Sequence, residues 1–326
     1  MRIAVLGAGA WGTALAIAFA ARHQVSLWAR DAARVAEMSG SRENARYLPQ
    51  CPFPAALQVT ADFGAALSGA DLAILAAPLA GLRPLLQQLK ATAPGMPFLW
   101  VCKGLEAGSG LLPHQVVDDV MNEAVCGVLT GPSFALEVAR GLPAAVTLAA
   151  TDAAFAAATA QSLHGGKLRI YATEDLIGAE VGGAVKNVLA IATGICDGLG
   201  LGNNARAALI TRGLVEITRF GEALGAKRET FMGLAGMGDL ILTCTGELSR
   251  NRRVGLLLAE GKALPDIVRE LGHVAEGVPA AREVARRAAE LGIEMPITRA
   301  VTAVLDGRIT PFAAVEQLMA REAKHE

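Results

Sequence analysis

The sequence predicts an α/β protein: a doubly wound, mainly parallel sheet in the first half, followed by an all-α second half. Three observations carry this. Up to about residue 173, short and nearly continuous apolar runs alternate with helical patterns, as expected of parallel strands covered by helices on both faces. Strand candidates then stop, and long helical patterns with charged faces take over, as at 267–271 and 280–291. The chain also opens with the apolar run Arg2-Ile3-Ala4-Val5-Leu6, followed at once by Gly7-Ala8-Gly9-Ala10-Trp11-Gly12. That order of strand, glycine-rich turn and helix is the start of a Rossmann-type fold.

The elements follow in sequence. After the strand at 2–6, a helix is expected over 13–21 and a second strand over 24–28. Residues 71–77 read as a strand and 79–91 as a helix; 98–101 read as a strand and 111–123 as a helix. Further strands are expected at 125–129, 144–149 and 168–171. The change of character near Glu174-Asp175 sets a boundary between a dinucleotide-binding domain, 1–175, and a helical substrate and catalytic domain, 176–326.

Each fingerprint glycine has a mechanical task. Gly7 permits the tight turn, Gly9 lets the backbone approach a pyrophosphate, and Gly12 lets the helix pack close to the strand. Ala10 and Trp11, in the same turn, are expected cofactor contacts beside the N-terminus of that helix, which attracts anions. A secretory leader is the competing reading, because 3–21 carries no charge and Arg2 precedes it. Four glycines in the stretch and the strand pattern resuming at Gln24 disfavour it.

Composition excludes several classes. With 52% hydrophobic and 19% charged residues the chain is a well-packed globular protein. A net charge of −1 and 4% aromatic residues give no basic or stacking surface, so no nucleic-acid partner is expected. No apolar run beyond the first segment is long and charge-free enough to predict an integral membrane segment. Cys51, Cys102, Cys126, Cys196 and Cys244 are scattered, without a C-x-x-C pair. They read as small buried hydrophobes in a reducing, cytoplasmic setting, and no metal site is expected.

In the second half, residues 181–192 form an apolar helical pattern interrupted only by Lys186 and Asn187. Gly178 and Gly182, four apart, leave one face open to close approach. Lys186 is either a lysine that snorkels at a helix edge or, if buried, a general acid or base whose charged form desolvation disfavours.

The run Gly183-Ala184-Val185-Lys186-Asn187-Val188-Leu189-Ala190, continuing through Gly194, Asp197-Gly198, Gly200 and Asn203, resembles the signature of NAD(P)-dependent glycerol-3-phosphate dehydrogenases. So do Cys102-Lys103-Gly104-Leu105-Glu106, Thr130-Gly131-Pro132-Ser133-Phe134-Ala135, Gly236-Met237-Gly238-Asp239-Leu240, Ser249-Arg250-Asn251-Arg252 and Glu276-Gly277, all in the right order. The resemblance covers essentially the whole chain and is closest to the bacterial biosynthetic enzymes. It implies reduction of dihydroxyacetone phosphate to sn-glycerol 3-phosphate, a precursor of phospholipids, by a homodimer.

The resemblance also implies roles. Lys186 would transfer the proton that ketone reduction requires. Lys103, after the strand at 98–101, would touch both cofactor and substrate, and two converging lysines would depress each other's pKa. Asp239 would bind a substrate hydroxyl or orient a lysine, although alone it reads equally well as a helix cap. Ser249, Arg250 and Asn251 would hold the phosphate, for which a guanidinium fork is suited; without the resemblance, Arg250-Asn251-Arg252-Arg253 reads as a solvated face. Gly131 and Ser133 would add substrate contacts. Arg250, Ala135, Val274 and Glu276 would contact the cofactor.

Cofactor choice turns on Ala29-Arg30-Asp31, after the second strand. Arg30 suits the 2′-phosphate of NADPH; Asp31 leaves NADH open, or caps the helix that follows. NADP is favoured over NAD. Two other readings compete. A 6-phosphogluconate or hydroxyacid dehydrogenase is disfavoured by the Lys103, Gly131-Pro132-Ser133 and Ser249-Arg250-Asn251 set, and a non-catalytic dinucleotide sensor has no need of Lys186, Lys103 and Asp239.

Overall fold

The computed structural model describes residues 1–272 and 275–321. The first strand, β1 (Arg2–Leu6), is buried from Ile3 onward, and α1 (Ala10–Ala20) buries residues on nearly every face. Apolar character all round is what makes α1 a core helix rather than a surface one. Each fully buried Ile, Val or Leu here contributes roughly 1.5–3 kcal/mol. The helix begins at Ala10, three residues before the sequence pattern suggests, so its first turn lies inside the glycine fingerprint.

There follow β2 (Gln24–Trp28), α2 (Ala32–Ser41), a short hairpin of β3 (Glu43–Asn44) and β4 (Leu48–Pro52), then β5 (Leu57–Thr60) and α3 (Phe63–Leu67). Next come β6 (Leu72–Leu75), α4 (Leu82–Thr92), β7 (Phe98–Trp100), α5 (Pro113–Val120), β8 (Cys126–Thr130), α6 (Ala135–Ala139), β9 (Ala144–Ala149), α7 (Ala153–Leu163) and β10 (Leu168–Thr173). The helix expected over 79–91 starts as a separate 3₁₀ turn, Leu79–Gly81. The one expected over 111–123 waits for Pro113, whose fixed φ and missing N–H suit a first helical position.

Eight strands form one sheet in the order β10-β9-β8-β7-β6-β1-β2-β5. All neighbours are parallel except β8 and β9, paired Val128↔Ala149 to Thr130↔Thr147. The order reverses direction between β6 and β1, which is the switch point where such sheets bind ligands at their carboxyl ends.

Among the described residues beyond β10 the elements are helical, chiefly α8 (Leu176–Gly198), α9 (Gly202–Ala223), α10 (Asp239–Thr245), α11 (Arg250–Ala259), α12 (Leu264–Leu271), α13 (Gly277–Glu290), α14 (Pro296–Leu305) and α15 (Pro311–Met319). At 23 residues α8 is long and apolar enough to cross a bilayer, but 94% of its most apolar stretch is buried inside the protein. It is a core helix.

Contacts divide the chain into two compact units, 1–103 with 111–179, and 104–110 with 180–326. The short loop after Lys103 therefore packs with the helices. Gly108 N donates to Glu283 Oε1 (3.1 Å), and a Cβ at Gly110 would lie 2.3 Å from Arg286 Nη2.

Candidate active site

In the sheet unit the fingerprint is shaped by the turn after β6. Gly7 leaves β1 with φ +129°, and a Cβ there would lie 2.6 Å from Ala76 O. At Gly12 it would lie 2.1 Å from Gly7 O and 2.7 Å from Ala76 Cβ. Any larger residue would push the helix off the sheet. Gly9 differs: it caps α1 without a side chain, and a Cβ there meets nothing within 4 Å. The open position thus sits beside the first-turn N–H groups of α1, including those of Ala10 and Trp11, which a helix leaves without internal partners. This is a cradle that fits a dinucleotide pyrophosphate.

Arg30 follows β2, exposed and without a hydrogen-bond partner among the described residues. Asp31 accepts from Ala33 N (3.0 Å) and Arg34 N (3.3 Å). Its carboxylate is the cap of α2, the plainer of its two readings.

The carboxyl ends of β7 and β8 bring three further residues together. Lys103 Nζ donates to Gly131 O at 3.4 Å, and Ser133 Oγ donates to the same carbonyl at 2.9 Å. Gly131 has φ +132°, a conformation that L side chains rarely adopt. Ala135 opens α6, partly buried against the sheet core.

In the helical unit, glycines again decide what can meet. A Cβ at Gly182 on α8 would lie 2.3 Å from Ala235 O, so only glycine admits the π-helical turn Leu234–Gly238 against α8. That turn, with Gly238 N donating to Gly233 O at 3.1 Å, delivers Asp239 as the first residue of α10; π turns of this kind recur at functional sites. Lys186 is 7% exposed and Asp239 1%. Lys186 Nζ donates to Asp239 Oδ1 (2.5 Å) and to Thr243 Oγ1 (2.9 Å), and the Thr243 hydroxyl donates to Asp239 O (2.7 Å). Lys186 is not a snorkelling lysine. Burial disfavours its ammonium; the adjacent carboxylate favours it.

Helices α8 and α11 touch backbone to backbone: a Cβ at Gly255 would lie 2.1 Å from Ile191 O, and one at Gly194 2.0 Å from Arg252 O. This contact brings Asn251 to Asn187, with Asn251 Nδ2 donating to Asn187 Oδ1 (2.9 Å) and Asn251 Oδ1 accepting from Gly277 N (3.0 Å). The buried Nδ2 of Asn187 has no partner among the described residues. Ser249 is buried and caps α11, accepting from Arg252 N at 3.2 Å.

The charge run is not a uniform solvated face. Arg252 is bound to Asp197 Oδ2 through Nε (2.9 Å) and Nη2 (2.6 Å), and Arg253 pairs with Glu270 at 3.6 Å. Arg250 is exposed, and its guanidinium has no partner among the described residues. Glu276 is half-buried just before α13. Val274 lies outside the described residues.

Cys244 sits in the same helix as Asp239, with its thiol pushed up to about 12 by burial. It stays protonated and offers no nucleophile. Sequence reasoning missed Thr243 and gave Asn187 no role. The four-residue spacing from Asp239, one helical turn, was the signal for Thr243.

A glycine cradle on a parallel sheet, with a buried lysine–carboxylate pair in a helical unit, defines the class of two-domain nicotinamide-dependent oxidoreductases. Residues 2–156 match the family described as NAD-dependent glycerol-3-phosphate dehydrogenase N-terminus, and residues 175–316 its C-terminus. A glycerol-3-phosphate dehydrogenase [NAD(P)+] of Dechloromonas aromatica is 63% identical over 100% of this chain and 99% of its own. One from Aromatoleum aromaticum is 62% identical, covering 100% of both. The crystal structure of glycerol-3-phosphate dehydrogenase from Coxiella burnetii has 43% identity and a TM-score of 0.93, covering 98% of this chain and 99% of that one. The chain belongs to the NAD-dependent glycerol-3-phosphate dehydrogenase family.

Proposed function

We propose that this chain reduces dihydroxyacetone phosphate reversibly to sn-glycerol 3-phosphate with NADPH in preference to NADH, supplying glycerophospholipid synthesis in the cytoplasm as a homodimer. The observation that carries this reading is the Lys186 ammonium, buried and held by Asp239 and Thr243. Bound nicotinamide supplies the hydride. Hydride addition leaves negative charge on the former carbonyl oxygen, and Lys186 delivers the proton that neutralises it. In the reverse direction the neutral lysine takes that proton back.

Asp239 and Thr243 hold the Nζ at a fixed position, from which it acts on the substrate. Arg250 offers its guanidinium fork to the phosphate, with Ser249 and Asn251 beside it. Lys103, Gly131 and Ser133 form a second cluster of substrate contacts. Gly7, Gly9, Ala10, Trp11 and Gly12 hold the pyrophosphate, and Arg30 reads the 2′-phosphate. Lys103, Ala135, Arg250, Val274 and Glu276 contact the cofactor. Residues 1–175 and 176–326 divide these tasks as dinucleotide and catalytic domains.

The test is NADPH oxidation with dihydroxyacetone phosphate, set against NADP reduction with 6-phosphogluconate. Turnover of the first alone is expected. Lys186→Ala should lower kcat by roughly 10²-fold or more while NADPH still binds. No turnover of dihydroxyacetone phosphate, or a variant with near-native kcat, overturns the reading.

A further inference from the structure

Asn44 belongs to no part of the site described so far, yet it is the residue that grips the fingerprint from outside. It is 4% exposed, and its Nδ2 donates to Ala8 O (3.0 Å) and to Thr13 Oγ1 (2.8 Å). Ala8 lies between Gly7 and Gly9; Thr13 lies in the first turn of α1. The β3–β4 hairpin that carries Asn44 is itself anchored. Tyr47 N donates to Asn44 O (3.2 Å), Gln50 N to Glu43 Oε1 (2.9 Å), and Arg42 Nη1 to Leu57 O (3.0 Å).

A peptide unit is rigid, planar and trans, so its C=O and N–H point in opposite directions. Drawing the Ala8 carbonyl toward Asn44 therefore turns the Gly9 N–H the other way. Gly9 is also the position where a Cβ would meet nothing within 4 Å. We propose that Asn44 is a positioning residue for the cofactor: it fixes the Ala8–Gly9 peptide plane so that the Gly9 N–H is presented to the pyrophosphate. This rests on the dinucleotide reading of the fingerprint. It assigns the hairpin a task that the fingerprint glycines do not perform alone, since glycine at position 9 leaves the φ on one side of that peptide loosely restrained.

The experiment titrates NADPH and adenosine 2′-monophosphate, which lacks the pyrophosphate, into the native protein and Asn44→Ala. The variant should bind NADPH about tenfold more weakly, the effect of losing one hydrogen bond at the loop. Its affinity for adenosine 2′-monophosphate should match the native protein. KM for NADPH should rise by a similar factor, with kcat at saturating NADPH within about twofold of native. Native NADPH affinity in the variant overturns the proposal. Equal weakening of both ligands also overturns it, because that is the signature of general damage to the fold. Should the alanine variant not fold, Asn44→Asp keeps the shape and removes the donor; it is read by the same two titrations, with the same overturning results. A native protein that fails to bind NADPH would instead sink the dinucleotide reading itself.

Discussion

Lys186 and Asp239, 53 residues apart in sequence, meet at 2.5 Å in a setting almost closed to water. Removing one partner of such a pair leaves the other charge buried and uncompensated, at a cost of about 3–5 kcal/mol. Asp239→Ala is therefore expected to destabilise the protein by that order, beyond any effect on turnover. The double variant Lys186→Ala/Asp239→Ala should lose less than the two single losses added together. Denaturant titration of the four proteins checks this, and strict additivity would mean that the two groups are not coupled.

Arg30→Ala should raise KM for NADPH and leave NADH little changed, because only the 2′-phosphate loses a charged partner. The residue is exposed, so its truncation leaves the fold intact. Steady-state kinetics with both cofactors decide the point; equal weakening would assign Arg30 to the adenine or to the loop.

Arg250→Lys keeps the charge and loses the fork. KM for dihydroxyacetone phosphate should rise about tenfold or more, in line with a charge-assisted bond worth ~1.5–3 kcal/mol. Unphosphorylated dihydroxyacetone should suffer far less. Equal losses on the two substrates would show that another group reads the phosphate.

Glu216 yields a prediction about pH. On α9 it accepts from Ile297 N (2.7 Å), Thr298 N (3.2 Å) and Thr298 Oγ1 (3.2 Å), so a buried carboxylate seats the first turn of α14. Burial pushes its carboxyl above the ordinary value of 4.5, against the pull of those hydrogen bonds. The folded chain thus keeps this proton to higher pH than the unfolded chain. The associated stability is present in full below about 4.5 and is lost as pH rises through the folded pKa. The stability of the native protein relative to Glu216→Gln should fall across that window. A difference independent of pH would reject it.

What the sequence disclosed follows from how each part is built. Leu72-Ala73-Ile74-Leu75 is buried on both faces of a parallel sheet, and such strands announce themselves as unbroken apolar runs. The hairpin was illegible: β3 has two residues, and β4 carries Pro49 and Pro52, which argue against a strand. The antiparallel setting of β9 was equally hidden, because Ala144–Ala149 has the same pattern in either direction. Lys186 stood out as a charge inside an apolar helix. Asn44 did not, since a polar residue in a loop-like stretch gives no hint of acceptors 31 and 36 residues away.

The loop 104–110 makes the helical unit discontinuous along the gene. A fragment starting at residue 180 would leave Glu283 without the amide of Gly108, and a fragment ending at 179 would carry that loop with nothing to fold upon. A single recombination point between the two units therefore cannot exchange one intact helical unit for another. A chimera with a relative's helices needs the loop and the C-terminal half transferred together.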